Sequence, residues 1–220
     1  MKFILNLKNT STFKRLLLIL FLLFFYVSIC AICYVNAVSY NIENNIFRLH
    51  VIANSDSEED QKLKYMVRDN IIKYINELSV TTSTKQEVID LAYENINNIQ
   101  AIAQKTVMEN GFNYNVNVDI GNFSFPTKNY GDISFPAGFY DALRVEIGKS
   151  EGQNWWCVMF PPLCFVDVTS GVVPEESKQI MQENLSLEEY SLISENNAEM
   201  NFKFKIVEFF KNIGIKLAQT

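Results

Sequence analysis

An unbroken apolar run lies near the start of the chain. Residues 16–35 occupy twenty successive positions without a charged side chain. At about 1.5 Å rise per residue, a helix of this length crosses a hydrocarbon core of roughly 30 Å. Lys14 and Arg15 directly precede the run, and basic residues stay on the cytoplasmic side of a spanning segment. The pattern predicts a signal peptide or transmembrane helix, with residue 36 onward outside the cytoplasm.

The end of this run leaves two interpretations open for residues 1–37. Val35 and Ala37 place small side chains at the −3 and −1 positions of a signal-peptidase site before Val38. The apolar run is, however, longer than the usual core of a signal peptide. A cleaved signal peptide and a retained membrane anchor are both compatible with this pattern.

Beyond residue 37 the first regular pattern is an alternation. In residues 45–54 the apolar Phe47, Leu49 and Val51 alternate with Arg48 and His50. Period-two alternation predicts a strand with one face on the core and the other face polar. We therefore expect Arg48 and His50 to lie on an exposed strand face.

Two helices are predicted next. Residues 55–60 supply helix N-caps and acidic groups for the positive end of a helix dipole. Thr84 and Glu87 form the capping-box pattern of a second helix. Gly111 suits the left-handed conformation that ends a helix. We expect two long helices between the first strand and Gly111, each with apolar residues at helical spacing.

The rest of the predicted domain has strand patterns. Residues 112–121 and 140–148 alternate, and residues 155–160 are apolar throughout. Residues 125–136 contain two Phe-Pro pairs and are predicted to form a loop, and Pro161-Pro162 ends the last strand. The order strand-helix-helix-strand-strand-strand predicts an α+β fold. Its mainly antiparallel sheet is covered on one side by two helices.

Composition divides the exported part of the chain into three. Residues 38–171 hold the strand and helix patterns and form the predicted domain. Residues 172–200 contain seven acids and a single base, Lys178, which predicts a solvated acidic connector with a short helix around residues 185–193. Residues 201–220 contain four Lys and one Glu, with apolar residues on one helical face. This basic amphipathic C-terminal segment either docks on the domain or lies on an anionic membrane.

Charge and histidine content exclude several classes of function. Residues 1–37 hold four bases and no acid, so 15 Lys and Arg stand against 25 acids beyond residue 37, a net charge of −10. Phosphate backbones repel such a surface, which argues against nucleic-acid binding. His50 is the only histidine, which excludes metal sites that need two imidazoles. We predict no metal and no cofactor.

The sequence contains no complete catalytic motif. His50, Ser55 and Asp56 offer a base, a hydroxyl and a carboxylate, but Ser55 and Asp56 stand where a helix needs caps. No Gly-x-Ser-x-Gly elbow, Gly-rich phosphate loop or aspartic-protease triplet is present. We therefore predict that the protein is not an enzyme and has no small-molecule substrate.

Cys157 and Cys164 flank the Pro161-Pro162 pair and have two interpretations. If the chain reverses at the prolines, the two residues face each other and can form a disulfide, which the oxidising side of a membrane permits. If the prolines make an extended segment instead, both thiols are buried as small apolar groups. The spacing alone leaves both open.

Two long stretches of the chain carry specific motifs. The first begins at Phe47 as FRLHVIANSDS and continues through Asp60-Gln61, Lys64 and Val67-Arg68-Asp69. The second begins at Tyr140 as YDALRVEIG and continues through Gly152 to NWWCVMFPPLCF, which begins at Asn154. These stretches, with the apolar leader, resemble the stage II sporulation protein R family of endospore-forming bacteria.

The resemblance implies an exported signalling protein of sporulation. Family members cross the forespore inner membrane and act in the intermembrane space. There they activate a membrane-embedded aspartic peptidase, which processes the pro-form of the early mother-cell sigma factor. Two alternatives are a membrane-anchored envelope enzyme with an unrecognised site and a structural envelope module.

Residues of the first motif suggest a surface for contact with a partner. Polar side chains at the end of the first strand and the start of the following helix form one patch of mixed charge, able to orient a partner. A surface tryptophan would add an apolar anchor. The alternative for the polar residues is a set of helix caps and surface ion pairs. The candidate residues are Arg48, His50, Asn54, Asp56, Asp60, Lys64, Arg68 and Trp155.

Overall fold

The structure is a computed structural model that describes residues 10–78, 82–164 and 173–194. The predicted amphipathic segment 201–220 lies outside the described residues, as do residues 172 and 195–200 of the predicted connector. The chain forms two compact units, residues 1–40 and 41–220.

The predicted N-terminal apolar helix is confirmed. Helix α1 (Thr10–Asn45) contains Phe13–Cys30, a stretch with a mean hydropathy of 2.2 that is long and apolar enough to cross a membrane. It is the only such helix in the described part of the chain, and no residue of the stretch Phe13–Cys30 is buried. A signal sequence and a membrane anchor both have this form.

A four-stranded sheet organises the second unit, and its order is β2-β5-β1-β6. Strands β1 and β5 are parallel, whereas β1–β6 and β2–β5 are antiparallel. The predicted α+β class with a mainly antiparallel sheet is confirmed. The elements in chain order are β1 (Phe47–Ile52), α2 (Glu58–Leu78), α3 (Lys85–Glu94), α4 (Ile96–Glu109), β2 (Val116–Phe125), β3 (Lys128–Tyr130), β4 (Ile133–Phe135), β5 (Gly138–Ile147), β6 (Asn154–Phe160), α5 (Glu175–Asn184) and α6 (Leu187–Ser194).

Between β1 and β2 the described residues form three helices, rather than the two predicted. The capping box of Thr84 and Glu87 is present at the start of α3, and Gly111 has φ +82° after α4. The break between α3 and α4 falls at Asn95, whose side-chain amide donates to Leu91 O (2.9 Å). Tyr74 Oη donates to Asn95 Oδ1 (3.0 Å), so the break is fixed against α2.

The outer edge of β2 is occupied by side chains of the helices. Gln104 Oε1 accepts from Val116 N (2.9 Å), and Gln100 Nε2 donates to Val116 O (3.3 Å). Tyr93 Oη donates to Ile120 O (3.1 Å). These bonds take the place of a neighbouring strand at Val116 and Ile120. Pairing with β5 continues to Phe125, so β2 extends beyond the predicted end at residue 121.

The segment predicted to be a loop is a hairpin. Strands β3 and β4 pair antiparallel, and Tyr130, Ile133 and Phe135 are buried. The hairpin was missed because each strand has only three residues and Phe-Pro pairs flank them. All six residues of β1 are buried, so the prediction of an exposed face at Arg48 and His50 is wrong.

The described part of the predicted acidic connector is folded. Helices α5 and α6 bury Val173, Met181, Leu185 and Ile193, while most of their acidic side chains stay exposed. Lys178 Nζ lies 2.8 Å from Asp132 Oδ2 in the turn between β3 and β4. The prediction of a solvated connector is therefore wrong for residues 173–194. Its short helix is present as α6.

Candidate functional site

The two motif-bearing stretches meet at the end of β1. Gly152 N donates to Ala53 O (3.0 Å), and Glu151 N donates to Asn54 O (3.2 Å). The Asn54 side chain accepts from Lys149 N through Oδ1 (3.0 Å). We call this junction of residues 53–56 with residues 148–153 the loop clasp. It makes one substructure of two segments that are about 95 residues apart in the chain.

Asn54 and Asp56 are structural members of the loop clasp. Asp56 Oδ1 accepts from Gln153 N (2.7 Å), although the residue is exposed. Gly148 has φ +60°, and a Cβ atom there would collide with the Asn54 side chain. A Cβ atom at Gly152 would collide with the carbonyl oxygen of Ser55. The clasp therefore needs glycine at both positions.

Asp60 is buried beneath the clasp and fixes its first loop. Its Oδ2 accepts from Asn54 Nδ2 (2.8 Å) and from Ser55 Oγ (2.5 Å). Burial raises the pKa of Asp60, but the hydrogen bonds, led by those from Ser55 and Asn54, outweigh this effect and lower the pKa overall. Asp60 is therefore ionised, lies in the first turn of α2 and is not a surface contact.

Lys64 is also buried, at 1% exposure. Its Nζ donates to Gln61 Oε1 (2.5 Å) and to the backbone oxygen of Gln153 (3.0 Å). Burial lowers the pKa of Lys64, and Arg68 lowers it further. The side chain ties α2 to the second loop of the clasp, so the predicted surface role is wrong for Lys64.

Arg48 lies inside an aromatic box on the face of the sheet opposite the three helices. Its guanidinium carbon lies 4.2 Å from the Phe125 ring centre and 4.8 Å from that of Tyr140. Nη2 donates to Tyr130 Oη (2.8 Å), and Tyr130 Oη donates to Trp156 O (3.1 Å). Nε and Nη1 have no hydrogen-bond partner among the described residues. The β3–β4 hairpin thus covers a cation expected at the surface.

His50 lies beside this box, at 6% exposure. Its ring stacks on Trp156 with centroids 3.7 Å apart, and Nε2 lies 2.7 Å from Asn154 Oδ1. Burial lowers the pKa of His50 to about 4. The imidazole is therefore neutral near pH 7. Ser55 and Asp56 bond within the loop clasp and not to His50.

Arg68 and Trp155 form an accessible cluster with a residue that the sequence analysis missed. The Arg68 guanidinium carbon lies 4.2 Å from the Trp155 ring centre and 4.9 Å from that of Tyr65. The two rings meet edge to face at 5.6 Å, and Tyr65 is 40% exposed. We call these three residues the aromatic–arginine cluster. The helical spacing of Tyr65 and Arg68, three residues apart, was the available signal.

A disulfide joins Cys157 and Cys164 in the structure. Their Cα atoms are 5.2 Å apart, and the chain reverses between them at Pro161, which follows a cis peptide bond. Of the two arrangements that the spacing allowed, the structure has the facing pair. Among the described residues, no three His, Cys, Asp or Glu side chains converge as a metal site would require.

Comparison with known proteins assigns the chain to a family. Residues 43–170 match the family model of stage II sporulation protein R. The stage II sporulation protein R of Bacillus subtilis (strain 168) is 39% identical over 137 residues, which are 62% of this chain and 61% of that protein. The chain thus spans about three fifths of the length of this curated relative. No solved structure matches the chain. The loop clasp, the Arg48 box and the aromatic–arginine cluster all lie within the matched residues, and the chain belongs to the stage II sporulation protein R family.

Proposed function

We propose that this member of a sporulation family is an exported signal that activates a membrane-embedded aspartic peptidase by direct contact. The peptidase then processes the pro-form of the early mother-cell sigma factor. The domain acts in the space between the forespore and mother-cell membranes, after export across the forespore inner membrane. Helix α1 supports this location, because its apolar stretch suits a signal sequence or an anchor.

The aromatic–arginine cluster is the observation that carries the contact hypothesis. Trp, Tyr and Arg dominate the energetic centres of protein interfaces. Here all three lie together on α2 and β6, and the Arg68 side chain, which also pairs with Asp69, is 17% exposed. Rigid, prealigned side chains lose little conformational entropy on binding. The cluster is therefore a preorganised anchor for a partner.

The candidate contact residues divide by accessibility. Asp56 is exposed, and Asn54, Arg68 and Trp155 are half-buried; we propose that these four residues meet the peptidase. Arg48, His50, Asp60 and Lys64 are buried, so we propose that they support the contact surface from within. Asp60 and Lys64 do so through the loop clasp and α2.

Charge reversal at Arg68 tests the contact. Arg68→Glu should reduce sigma-factor processing at least tenfold, because a reversed charge at an interface costs several kcal/mol of binding free energy. The matched control is Lys73→Glu, which makes the same change at an exposed position of the same helix. The assay uses cells that make the peptidase, the sigma-factor precursor and each full-length variant. Wild-type processing by a folded Arg68→Glu protein would place the contact elsewhere.

The dependence of processing on the amount of domain distinguishes activation by direct contact from activation by catalysis. A binding activator saturates when each peptidase holds one domain, whereas an enzyme continues to generate signal at trace amounts. Processing should therefore rise in proportion to the domain until the two proteins are about equal in number. Full processing at one domain per hundred peptidases would contradict activation by stoichiometric contact.

A further inference from the structure

The Cys157–Cys164 disulfide joins two sulfur atoms of unequal accessibility. Cys157 is a residue of β6 and is 1% exposed. Cys164 follows the proline turn and is half-buried. A cleft beside the turn is lined by Cys164 and Pro162 on one side and by Asn76 of α2 on the other. Cys164 is therefore the more accessible cysteine of the pair, and a thiol is expected to attack from its side.

The turn closed by the disulfide is also an attachment point of α5. Ser177 Oγ donates to Pro162 O (2.7 Å) at the start of that helix. The turn is held to β6 by Leu163 N, which donates to Val158 O (3.0 Å). A second attachment lies at Asp132, which accepts from Val173 N (2.9 Å) and pairs with Lys178. Among the described residues, Pro162 thus provides one of the polar attachments of α5, beside the buried apolar side chains Val173 and Met181.

We propose that Cys157–Cys164 is a site of thiol–disulfide exchange whose reduction loosens α5 and α6 and leaves the sheet in place. The sheet does not depend on the cross-link, because the residues of β6 on both sides of Cys157 pair with β1. The turn depends on it more, because the described residues show a single backbone hydrogen bond from the turn to β6, from Leu163 N to Val158 O. The co-reactant is a dithiol of the exported compartment. This inference does not rest on contact with the peptidase.

The exchange has a defined direction. A thiolate of the dithiol attacks Cys164 Sγ, and the S–S bond breaks with its electron pair leaving on Cys157 Sγ. The Cys157 thiolate then takes a proton from solvent. The second thiol of the dithiol attacks the mixed disulfide and releases Cys164, which also becomes a thiol. The dithiol is thereby oxidised to a disulfide, and the two cysteines are reduced.

Amide hydrogen exchange of the full-length protein in detergent micelles tests the proposal, with dithiothreitol as the dithiol. Reduction should accelerate exchange in Glu175–Asn184 and Leu187–Ser194 at least tenfold and leave Phe47–Ile52 unchanged. The double variant Cys157→Ala/Cys164→Ala should behave like the reduced protein without dithiothreitol. Ser177→Ala, which removes the bond to Pro162, should accelerate the same two helices while the disulfide stays oxidised.

Two outcomes would overturn the inference. Unchanged exchange in both helices after complete reduction would show that the disulfide does not control their docking. Equal acceleration in β1 would make the disulfide a general staple of the domain. The direction of attack is tested separately by trapping the mixed disulfide with a monothiol and mapping it by mass spectrometry. Trapping on Cys164 is expected, and trapping on Cys157 would contradict the proposed route.

Discussion

The guanidinium carbon of Arg48 lies 4.2 Å from the ring centre of Phe125, within a layer of side chains that shields it completely from solvent. A cation in this position is stabilised by the negative faces of the surrounding rings. Burial also raises the pKa of Tyr130 and Tyr140, so both phenols stay neutral beside it. The rings and the neutral phenols around Arg48 therefore favour a positively charged side chain at this position over a negatively charged one.

Charge reversal in this box should unfold the domain. Arg48→Glu places a carboxylate against aromatic faces with no cation to pair with it, and we expect a loss of more than about 3 kcal/mol of unfolding free energy. Arg48→Met keeps the length of the side chain and removes the charge, so it should remain folded. Thermal unfolding followed by circular dichroism distinguishes the two. An Arg48→Glu protein that melts with the wild type would show that the guanidinium is exposed.

His50 should make stability depend on pH. The pKa of His50 is about 4 in the folded state and near 6.5 in the unfolded state. The unfolded state therefore binds more protons between these values, and stability falls as pH falls from 6.5 to 4. Between pH 7 and pH 5 this loss is about 2 kcal/mol.

The variant His50→Gln isolates this effect from the carboxylates. Glutamine can still donate to Asn154 Oδ1 but does not titrate. Urea unfolding of both proteins at pH 7 and pH 5 should show a smaller loss for His50→Gln. Equal losses in the two proteins would mean that His50 is protonated in the folded state at pH 5.

Gly152 should tolerate no side chain. Gly152→Ala brings a Cβ atom against the backbone oxygen of Ser55, which cannot move without opening the loop clasp. We expect a loss of about 2–3 kcal/mol. Gly121→Ala is the control, because the nearest atoms to its new Cβ belong to the Phe123 side chain, which can rotate. Equal melting temperatures for the two variants would argue against the tight approach of the two loops.

Export can be tested with an alkaline phosphatase fused after Thr220. The fusion should be active, since four basic residues precede the apolar run and keep the N-terminus in the cytoplasm. Deleting Phe13–Cys30 should abolish phosphatase activity without lowering the amount of fusion protein. An inactive fusion with the apolar stretch intact would reverse the assigned topology.

Local signals predicted much of the fold. The capping box at Thr84, the left-handed Gly111 and the alternation in β5 depend on nearby residues, and each is present in the structure. The burial of Arg48 could not be predicted in this way. It depends on a hairpin about 80 residues further along the chain, and a polar residue in an alternating strand more often faces solvent.

In the candidate site, too, features that depend on residues far apart in the chain could not be predicted. Arg68 was predicted as part of a patch of mixed charge and Trp155 as an apolar anchor, and the contact of both with a partner stays a prediction. The role of Lys64 could not be predicted, since its partner Gln153 is 89 residues away in the chain and comes near only when the two loops meet. Helix α5 was missed because its exposed acids dominate the composition, whereas the few apolar residues that dock it are widely spaced.

The side chains of α3 and α4 that bond to β2 limit strand pairing between copies of the domain when these are crowded. Gln100, Gln104 and Tyr93 occupy backbone groups that would otherwise template another strand. On the other edge strand, the carbonyls of Trp156 and Val158 accept from Tyr130 and Leu163. Neither edge therefore offers a continuous row of open hydrogen-bonding groups at these positions. Crowded copies of the domain therefore find no continuous strand edge to pair with at these positions, and contacts there are left to side chains.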